Sequence, residues 1–264
     1  MPAAAYYNEI DTYAAQWLRN LIAAGHIAPG DVDERSIEDV HPDDLRPYTQ
    51  CHFFAGIGVW SLALRRAGWP DDRPVWTGSC PCQPYSQAGQ GLGFDDPRHL
   101  WPHFAWLIRE RRPGEVLGEQ VASKDAEPWL DLVQTDLEAM DYAFGAVAFP
   151  SAGVGAPHIR DRTYWMANLH SERCGEARQG ELSGERPEWV ECDSNAIRPG
   201  PVNGPWADAD WIFCRDGKWR AVEPGTFPLA HGAPARVGRL RAYGNAINAE
   251  AATQFIGAYL EATS

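Results

Sequence analysis

Two hydrophobic patterns recur along the chain: short runs of aromatic and branched residues, and longer stretches with an apolar residue at every third or fourth position. Residues 4–10, 51–54, 74–79, 115–119, 142–149 and 162–167 read as strands. Asp11 caps a predicted helix running to about Ala24, with Tyr13, Trp17, Leu18 and Leu21 on one face, and Gly25 and Pro29-Gly30 break the chain after it. Further helices are predicted at 59–68, 99–112 and 127–140, the last carrying Trp129, Leu130, Val133, Leu137 and Met140 at helical spacing. This alternation predicts an α/β fold, a parallel sheet with helices on both faces.

The pattern changes after residue 167. Residues 168–230 are rich in Gly, Pro and charge, with one predicted hairpin from Ile212 to Trp219 around Asp216-Gly217. A last helix at about 248–262 has Ala251, Ala252, Phe255, Ile256 and Tyr259 on one side. The expected organisation is a main domain over 1–167, a small irregular lobe over 168–230, and a segment over 231–264 whose helix returns to the main domain.

Composition narrows the class. A chain of 264 residues with 44% hydrophobic residues builds one substantial core and a small second lobe. Its 12 Trp, 9 Tyr and 9 Phe argue against disorder. No run reaches the apolar length of a membrane span and no leader pattern opens the chain, so a cytoplasmic protein without membrane association is expected. The cysteines at 51, 80, 82, 174, 192 and 214 form no CxxC pair; His170, Cys174, Cys192 and Cys214 match no common zinc spacing, and no metal is expected.

The net charge of −13 argues against a nucleic-acid partner at first sight. Its distribution changes that reading. The acids concentrate in residues 1–50, whereas Arg236, Arg239 and Arg241 stand in a stretch without acids, and Arg160, Arg162 and Arg173 form a second basic group. Either one basic face on an acidic body or scattered solvated charge fits these counts.

Two short segments carry candidate chemistry. Phe54-Ala55-Gly56-Ile57-Gly58 lies between a strand and a helix, where glycines let the backbone approach a cofactor. Ser61 stands where a GxGxxG pattern would have its last glycine, which disfavours a pyrophosphate-bearing cofactor. Pro81-Cys82-Gln83-Pro84 follows a strand's carboxyl end, where open sheets bind ligands, and a thiolate there suits attack on an electron-poor ring. A buried structural cysteine is the plain alternative. Gly89, Gly91 and Gly93 follow in a loop suited to closing over a substrate.

With Glu119-Gln120-Val121, His158-Ile159-Arg160-Asp161-Arg162 and Gly244-Asn245-Ala246-Ile247, these segments make the chain resemble the cytosine carbon-5 DNA methyltransferases, whose signature runs FxGxG, PCQ, ENV, QxRxR and GN. The resemblance covers nearly the whole chain except about 168–230. It implies a Rossmann-like S-adenosylmethionine-dependent methyltransferase sheet with a small target-recognition lobe. It implies S-adenosylmethionine as methyl donor, S-adenosylhomocysteine as product, and a cytosine flipped out of double-stranded DNA by a monomeric enzyme of restriction-modification type in a bacterial or phage-infected cell. Cys82 would add to cytosine carbon 6, Glu119 would protonate or hydrogen-bond ring nitrogen 3, Arg162 would contact the carbonyl oxygen and Arg160 would help hold the site. Phe54, Ala55, Gly56, Ile57, Gly58, Pro81, Leu100, Asn245, Ala246 and Ile247 would bind the donor. Gln83, Ser86, Gln87, Arg98, Arg215, Lys218, Arg220, Arg236, Arg239 and Arg241 would meet DNA. Around residues 206–220 a Trp mini-core is an equal alternative to DNA contact.

The motif order departs from the family's. Only residues 59–80 separate Gly58 from Pro81, too few for the two strand–helix units that usually lie there. The segments Tyr7-Asn8-Glu9-Ile10-Asp11-Thr12-Tyr13-Ala14 and Gly30-Asp31-Val32 resemble the missing second and third motifs. The expected permutation sets them before Phe54 in sequence and beside it in space, with Glu9 on the ribose, Ile10 against the adenine and Asp31 accepting from its amino group. His52, Gln120 and His158 replace the acid, Asn and Gln usual at their positions. An RNA cytosine methyltransferase on the same scaffold, a folate-dependent pyrimidine methylase and a catalytically silent DNA-binding protein are the competing readings.

Overall fold

The computed structural model describes residues 4–81, 100–123, 126–156, 158–169, 210–213, 219–222 and 245–263. Seven strands form one sheet: β1 (Ala5–Asn8), β2 (Gly30–Asp33), β3 (Gln50–Phe53), β4 (Val75–Gly78), β5 (Glu115–Val121), β6 (Ala143–Pro150) and β7 (Asp161–Asn168), in the order β2-β1-β3-β4-β5-β7-β6. The neighbours from β2 to β5 pair in parallel, while β7 runs antiparallel to both β5 and β6. The expected parallel sheet with helices on both faces thus carries an antiparallel strand, β7, near one edge. The link between β6 and β7 holds only a short 3-10 turn at Ser151–Val154, and so short a link returns the chain antiparallel.

The first two strands lie beside β3 in space. β1 pairs on one side with β3, Asn8 opposite Phe53, and on the other with β2, Asn8 opposite Asp33. Chain order reverses at the β1–β3 junction, the kind of point where open sheets bind ligands. β2 lies just where Pro29-Gly30 had suggested only a break in the chain.

Helices α1 (Thr12–Ala23), α2 (Val59–Arg66), α3 (Trp101–Arg111), α4 (Glu127–Glu138) and α5 (Ala249–Thr263) cover the sheet. They form because apolar residues recur at helical spacing and the starts are marked: Asp11 accepts from the Tyr13 and Ala14 N–H groups, and α3 and α4 carry Pro in their first turn. On one face Trp101 and Phe104 of α3 and Trp129 and Val133 of α4 pack with Tyr6, Phe53, Trp76 and Trp165. On the other, Trp60 and Leu64 of α2 and Ala252 and Ile256 of α5 pack with Val75, Leu117 and Tyr164, and Leu18 of α1 with Tyr7 and Ile27. Adjacent strand residues, such as Tyr6 and Tyr7 or Tyr164 and Trp165, thus serve opposite faces.

A separate two-stranded sheet joins β8 (Asp210–Phe213) to β9 (Trp219–Val222), the predicted hairpin with both strands shifted outward; its turn lies outside the described residues. Among the described residues no helix is long and apolar enough to cross a membrane.

The sheet tolerates little change where Trp165 crosses Gly118. A Cβ added at Gly118 would lie 2.1 Å from Trp165 Cζ2. Gly118→Ala is therefore expected to cost about 1–3 kcal/mol through overpacking. Urea denaturation measures it, and an unchanged midpoint would show that Trp165 moves aside freely.

Candidate active site

The carboxyl ends of β1, β3, β4 and β5 open into one cleft of about 370 Å³. Asn8, Glu9, Ile10, Asp11, Tyr13 and Ala14 line it from the β1–α1 junction, Phe54, Gly56 and Ile57 from the turn after β3, and Ser79, Cys80 and Pro81 from the end of β4. Leu100, Glu119, Gln120, Val121, Arg162, Asn245 and Ala246 complete one end, and Arg35, Ser36 and Ile37 the other.

The turn after β3 needs unusual backbone. Phe54, Gly56 and Gly58 all have left-handed φ values of 51°, 54° and 78°. Ala55 N–H donates to the Asn8 carbonyl at 3.0 Å, which stitches the turn to β1. Gly56 N–H donates to Glu9 Oε2 at 2.7 Å, and Asp11 N–H to Glu9 Oε1 at 2.9 Å. Beside that carboxylate, Ile10 lines the cleft and leaves 66% of its surface uncovered.

At the other end Glu119 of β5 is buried and meets Arg162 of β7, Nε to Oε1 at 2.5 Å. Burial pushes the Glu119 carboxyl above the ordinary carboxylate range, against the opposing pull of Arg162, Arg160 and the Ser79 hydroxyl. Arg160 takes a left-handed φ of 33° and donates from Nη2 to the Ala246 carbonyl at 2.5 Å, tying the entry to β7 to the segment before α5. Burial, and after it Arg162, lower the pKa of Arg160.

Of the residues expected to bind a cofactor, Phe54, Gly56, Ile57, Glu9, Ile10, Pro81, Leu100, Asn245 and Ala246 line the cleft. Four do not, and their expected contacts are corrected. Asp31 lies two residues short of the end of β2, exposed to solvent, and accepts from the Tyr48 hydroxyl at 2.9 Å. Ala55 and Ile247 are buried in the core behind the cleft, and Gly58 starts α2 with its Cα facing Leu18 and Ile27. Cys82, Gln83, Ser86, Gln87, Arg98, Arg215, Lys218, Arg236, Arg239 and Arg241 lie outside the described residues, and of Arg220 only the backbone, in β9, is described.

Sequence reasoning missed the rim formed by Arg35, Ser36 and Ile37. Arg35 is clamped by Asp33 and Asp44, with Nη2 at 2.7 Å and 2.8 Å from their carboxylates. Burial works to raise the pKa of Asp33, yet its bonds from Arg35 and Tyr6 bring it below the usual range. The available signal was Ser36, whose hydroxyl caps the 3-10 turn Ile37–Asp39. Of the three departures from the family pattern, His52 is buried away from the cleft, with Nδ1 bonded to Thr77 Oγ1 at 2.8 Å, and burial drives its pKa down to about 3. Gln120 lines the cleft, its Oε1 accepting from the Val121 N–H at 3.0 Å. His158, half-buried, has its pKa lowered by burial and by Arg160.

Arg162 is what offsets the buried Glu119 charge. Arg162→Met is expected to destabilise the fold by about 3–5 kcal/mol near neutral pH. The sign with pH follows from Glu119: its folded pKa lies above the ordinary 4.5 and rises further without Arg162. In each form the Glu119 penalty is absent below the unfolded-state value and grows as pH rises toward that form's folded-state value, so the variant falls further behind once pH passes the wild-type folded value. Urea denaturation from about pH 4 to about pH 7 reads this; a gap that narrows with rising pH contradicts it.

Comparison with known proteins bears on the cleft. A profile described as C-5 cytosine-specific DNA methylase matches residues 69–188, which include Pro81, Glu119 and Arg162. Type II methyltransferase M1.ScrFI of Lactococcus lactis subsp. cremoris is 36% identical over 97 residues, 35% of this chain and 25% of its own. Type II methyltransferase M.AluI of Cellulosimicrobium cellulans is 30% identical over 152 residues, 53% of this chain and 28% of its own. The chain thus matches about a quarter of the length of these relatives. A solved DNMT2 mutant from Spodoptera frugiperda superposes with a TM-score of 0.45 at 17% identity, covering 69% of this chain and 47% of that one. Residues 69–188 thus resemble the C-5 cytosine-specific DNA methylase profile, and these relatives are similar to part of the chain.

Proposed function

We propose that the protein transfers a methyl group from S-adenosylmethionine to carbon 5 of a cytosine flipped out of double-stranded DNA. The observation that carries this reading is the Glu119–Arg162 pair opening into the same cleft as Glu9, Ile10 and the turn at Phe54–Gly58. A cleft of about 370 Å³ has room for a small cofactor. The residues present fit S-adenosylmethionine: the uncovered Ile10 offers an apolar surface to an adenine ring, and the Glu9 carboxylate suits ribose hydroxyls as donors. With Asp31 turned to solvent, the adenine edge falls instead to Arg35, Ser36 and Ile37. When bound, the donor supplies an electrophilic methyl group on a sulfonium.

The chain's own residues prepare the base. The Cys82 thiolate attacks carbon 6 of the ring, while Glu119 gives a proton, or a strong hydrogen bond, to nitrogen 3. Electron density thereby gathers at carbon 5, which takes the methyl group. A base then removes the carbon 5 proton, the electrons of that bond re-form the ring double bond, the Cys82 thiolate leaves, and any proton given to nitrogen 3 returns to Glu119. Arg162 donates to the base carbonyl oxygen. Burial, which raises the pKa of Glu119, favours the protonated form that such a step uses.

Bisulfite sequencing of DNA from cells expressing the protein tests the activity and reads the target site. Cys82→Ser is expected to abolish methylation while DNA binding persists, and methylation by that variant would refute the thiolate step. Methyl transfer to transfer RNA but not to duplex DNA would overturn the substrate. Glu9→Ala is expected to weaken S-adenosylhomocysteine binding about tenfold, the loss of a charge-assisted hydrogen bond. Calorimetry measures it, and unchanged affinity would remove Glu9 from the donor site.

A further inference from the structure

Among the described residues three large apolar side chains are exposed: Ile10, Val147 and Ile159. Ile10 lines the cleft, and Val147 lies in the edge strand β6. Ile159 is the most open, with 71% of its surface uncovered. Its place follows from strand register. Val121, the last residue of β5, pairs with Arg162, and β7 starts at Asp161. Residues 158–160 therefore run out past the carboxyl end of β5, the end of the sheet where the cleft opens. The chain is fastened there. Arg160 takes a left-handed φ of 33°, a costly backbone for a residue with a side chain. Its carbonyl accepts from the Ser151 N–H at 3.4 Å and from the Ser151 hydroxyl at 3.3 Å. Its guanidinium donates to the carbonyl of Ala246, which lines the cleft. Single exposed apolar residues are common on protein surfaces. This one is set out at the cleft mouth by a held turn, and residues 142–160 contain no Asp or Glu to repel a phosphate backbone.

We infer that Ile159 is a DNA wedge: it packs against bases of the duplex beside the target cytosine and holds the stack open while that cytosine lies in the cleft. This rests on the proposed action on a cytosine flipped out of duplex DNA. A base that leaves the stack uncovers the apolar faces of its neighbours, and an apolar side chain that covers them offsets part of the cost. Proteins that open or kink a duplex insert Leu, Ile or Phe between base steps in this way. Ile159 stands where such a contact is needed. It precedes Arg162 by three residues, and Arg162 lines the cleft as the proposed donor to the base carbonyl oxygen. A branched apolar side chain makes no hydrogen bond, so it reads no base edge and aids opening at any sequence. Ile159 touches no reacting atom, so it is a positioning residue.

Exposure keeps the test clear of folding, because Ile159→Ala takes little from the core. On duplexes carrying the site read by bisulfite sequencing, Ile159→Ala is expected to lower kcat/KM for a cytosine paired with guanine about tenfold, the worth of one branched apolar contact. On the same site with that cytosine mismatched, which costs less to extrude, variant and wild type are expected to agree. Ile159→Leu is expected to keep the wild-type rate, and S-adenosylhomocysteine affinity to stay unchanged in both variants. Equal rates of Ile159→Ala and wild type on the paired cytosine overturn the inference. So does an equal loss on paired and mismatched cytosine. A second measurement needs no methyl transfer. The full chain with p-benzoylphenylalanine in place of Ile159 is irradiated with a pool of random-sequence duplexes. Crosslinks to bases are expected, and none from the same group in place of Val147. Absence of base crosslinks from position 159 overturns the inference, whatever the chain methylates. Base crosslinks from position 159 in a chain that transfers no methyl group would refute the proposed activity and leave the wedge standing.

Discussion

The cleft depends on one carboxylate shared by two segments far apart in the chain. Glu9 accepts from Asp11 N–H at the start of α1 and from Gly56 N–H in the turn after β3. That turn has left-handed residues at Phe54, Gly56 and Gly58, and such a backbone turns its N–H groups to one side. A carboxylate just there gives those donors a partner and fixes the start of α2. The start of α2 sets Trp60, and its indole donates to Ser79, which lines the same cleft. The end of β1, the turn after β3 and the segment after β4 thus form one hydrogen-bonded frame.

Much of this frame was legible in the sequence, because strand and helix periodicities are local. Asp11 before an amphipathic run marked α1, and the glycines at 56 and 58 marked the turn. The role foreseen for Glu9 depended on a strand pairing that periodicity alone does not give. That pairing was expected through a resemblance, and β1 lies beside β3. Asp31 shows the limit. Its motif was found, but where it points depends on the register of β2 against β1, which sets Asp33 rather than Asp31 opposite Asn8. Arg35, Ser36 and Ile37 escaped notice because they precede a 3-10 turn too short to show any period. The reversal of β7 was missed for another reason: side-chain alternation is the same whichever way a strand runs, and only the shortness of the 151–160 link carried the signal.

The acidic balance of the chain is partly spent inside this architecture. Asp33 and Asp44 clamp Arg35 at the rim, Asp71 holds Arg65, and Glu250 reaches from α5 to Arg66 on α2. Exposed pairs of this kind contribute about 0–1 kcal/mol each, so stability is not what distinguishes them. Their effect is geometric. Arg35 keeps its guanidinium along the cleft only because two carboxylates fix it, and Asp33 is in turn fixed by the Tyr6 hydroxyl at 2.7 Å. The Arg66–Glu250 pair joins α2, which begins at the turn after β3, to α5, which follows the cleft residues Asn245 and Ala246.

The strand order also bears on the cleft. A ligand at the carboxyl ends of parallel strands meets side chains by their place in the sheet, not by their order in the chain. The constraint moves instead to the connections. Here β2 must return past β1 to reach β3, and residues 34–49 make that passage. They do so as more than a loop: Ile37, Val40 and Leu45 are buried with Trp101 and Phe104 on the α3 and α4 face of the sheet. The rearranged link thus covers apolar surface at that edge of the sheet. In doing so it brings Arg35, Ser36 and Ile37 to the rim of the cleft.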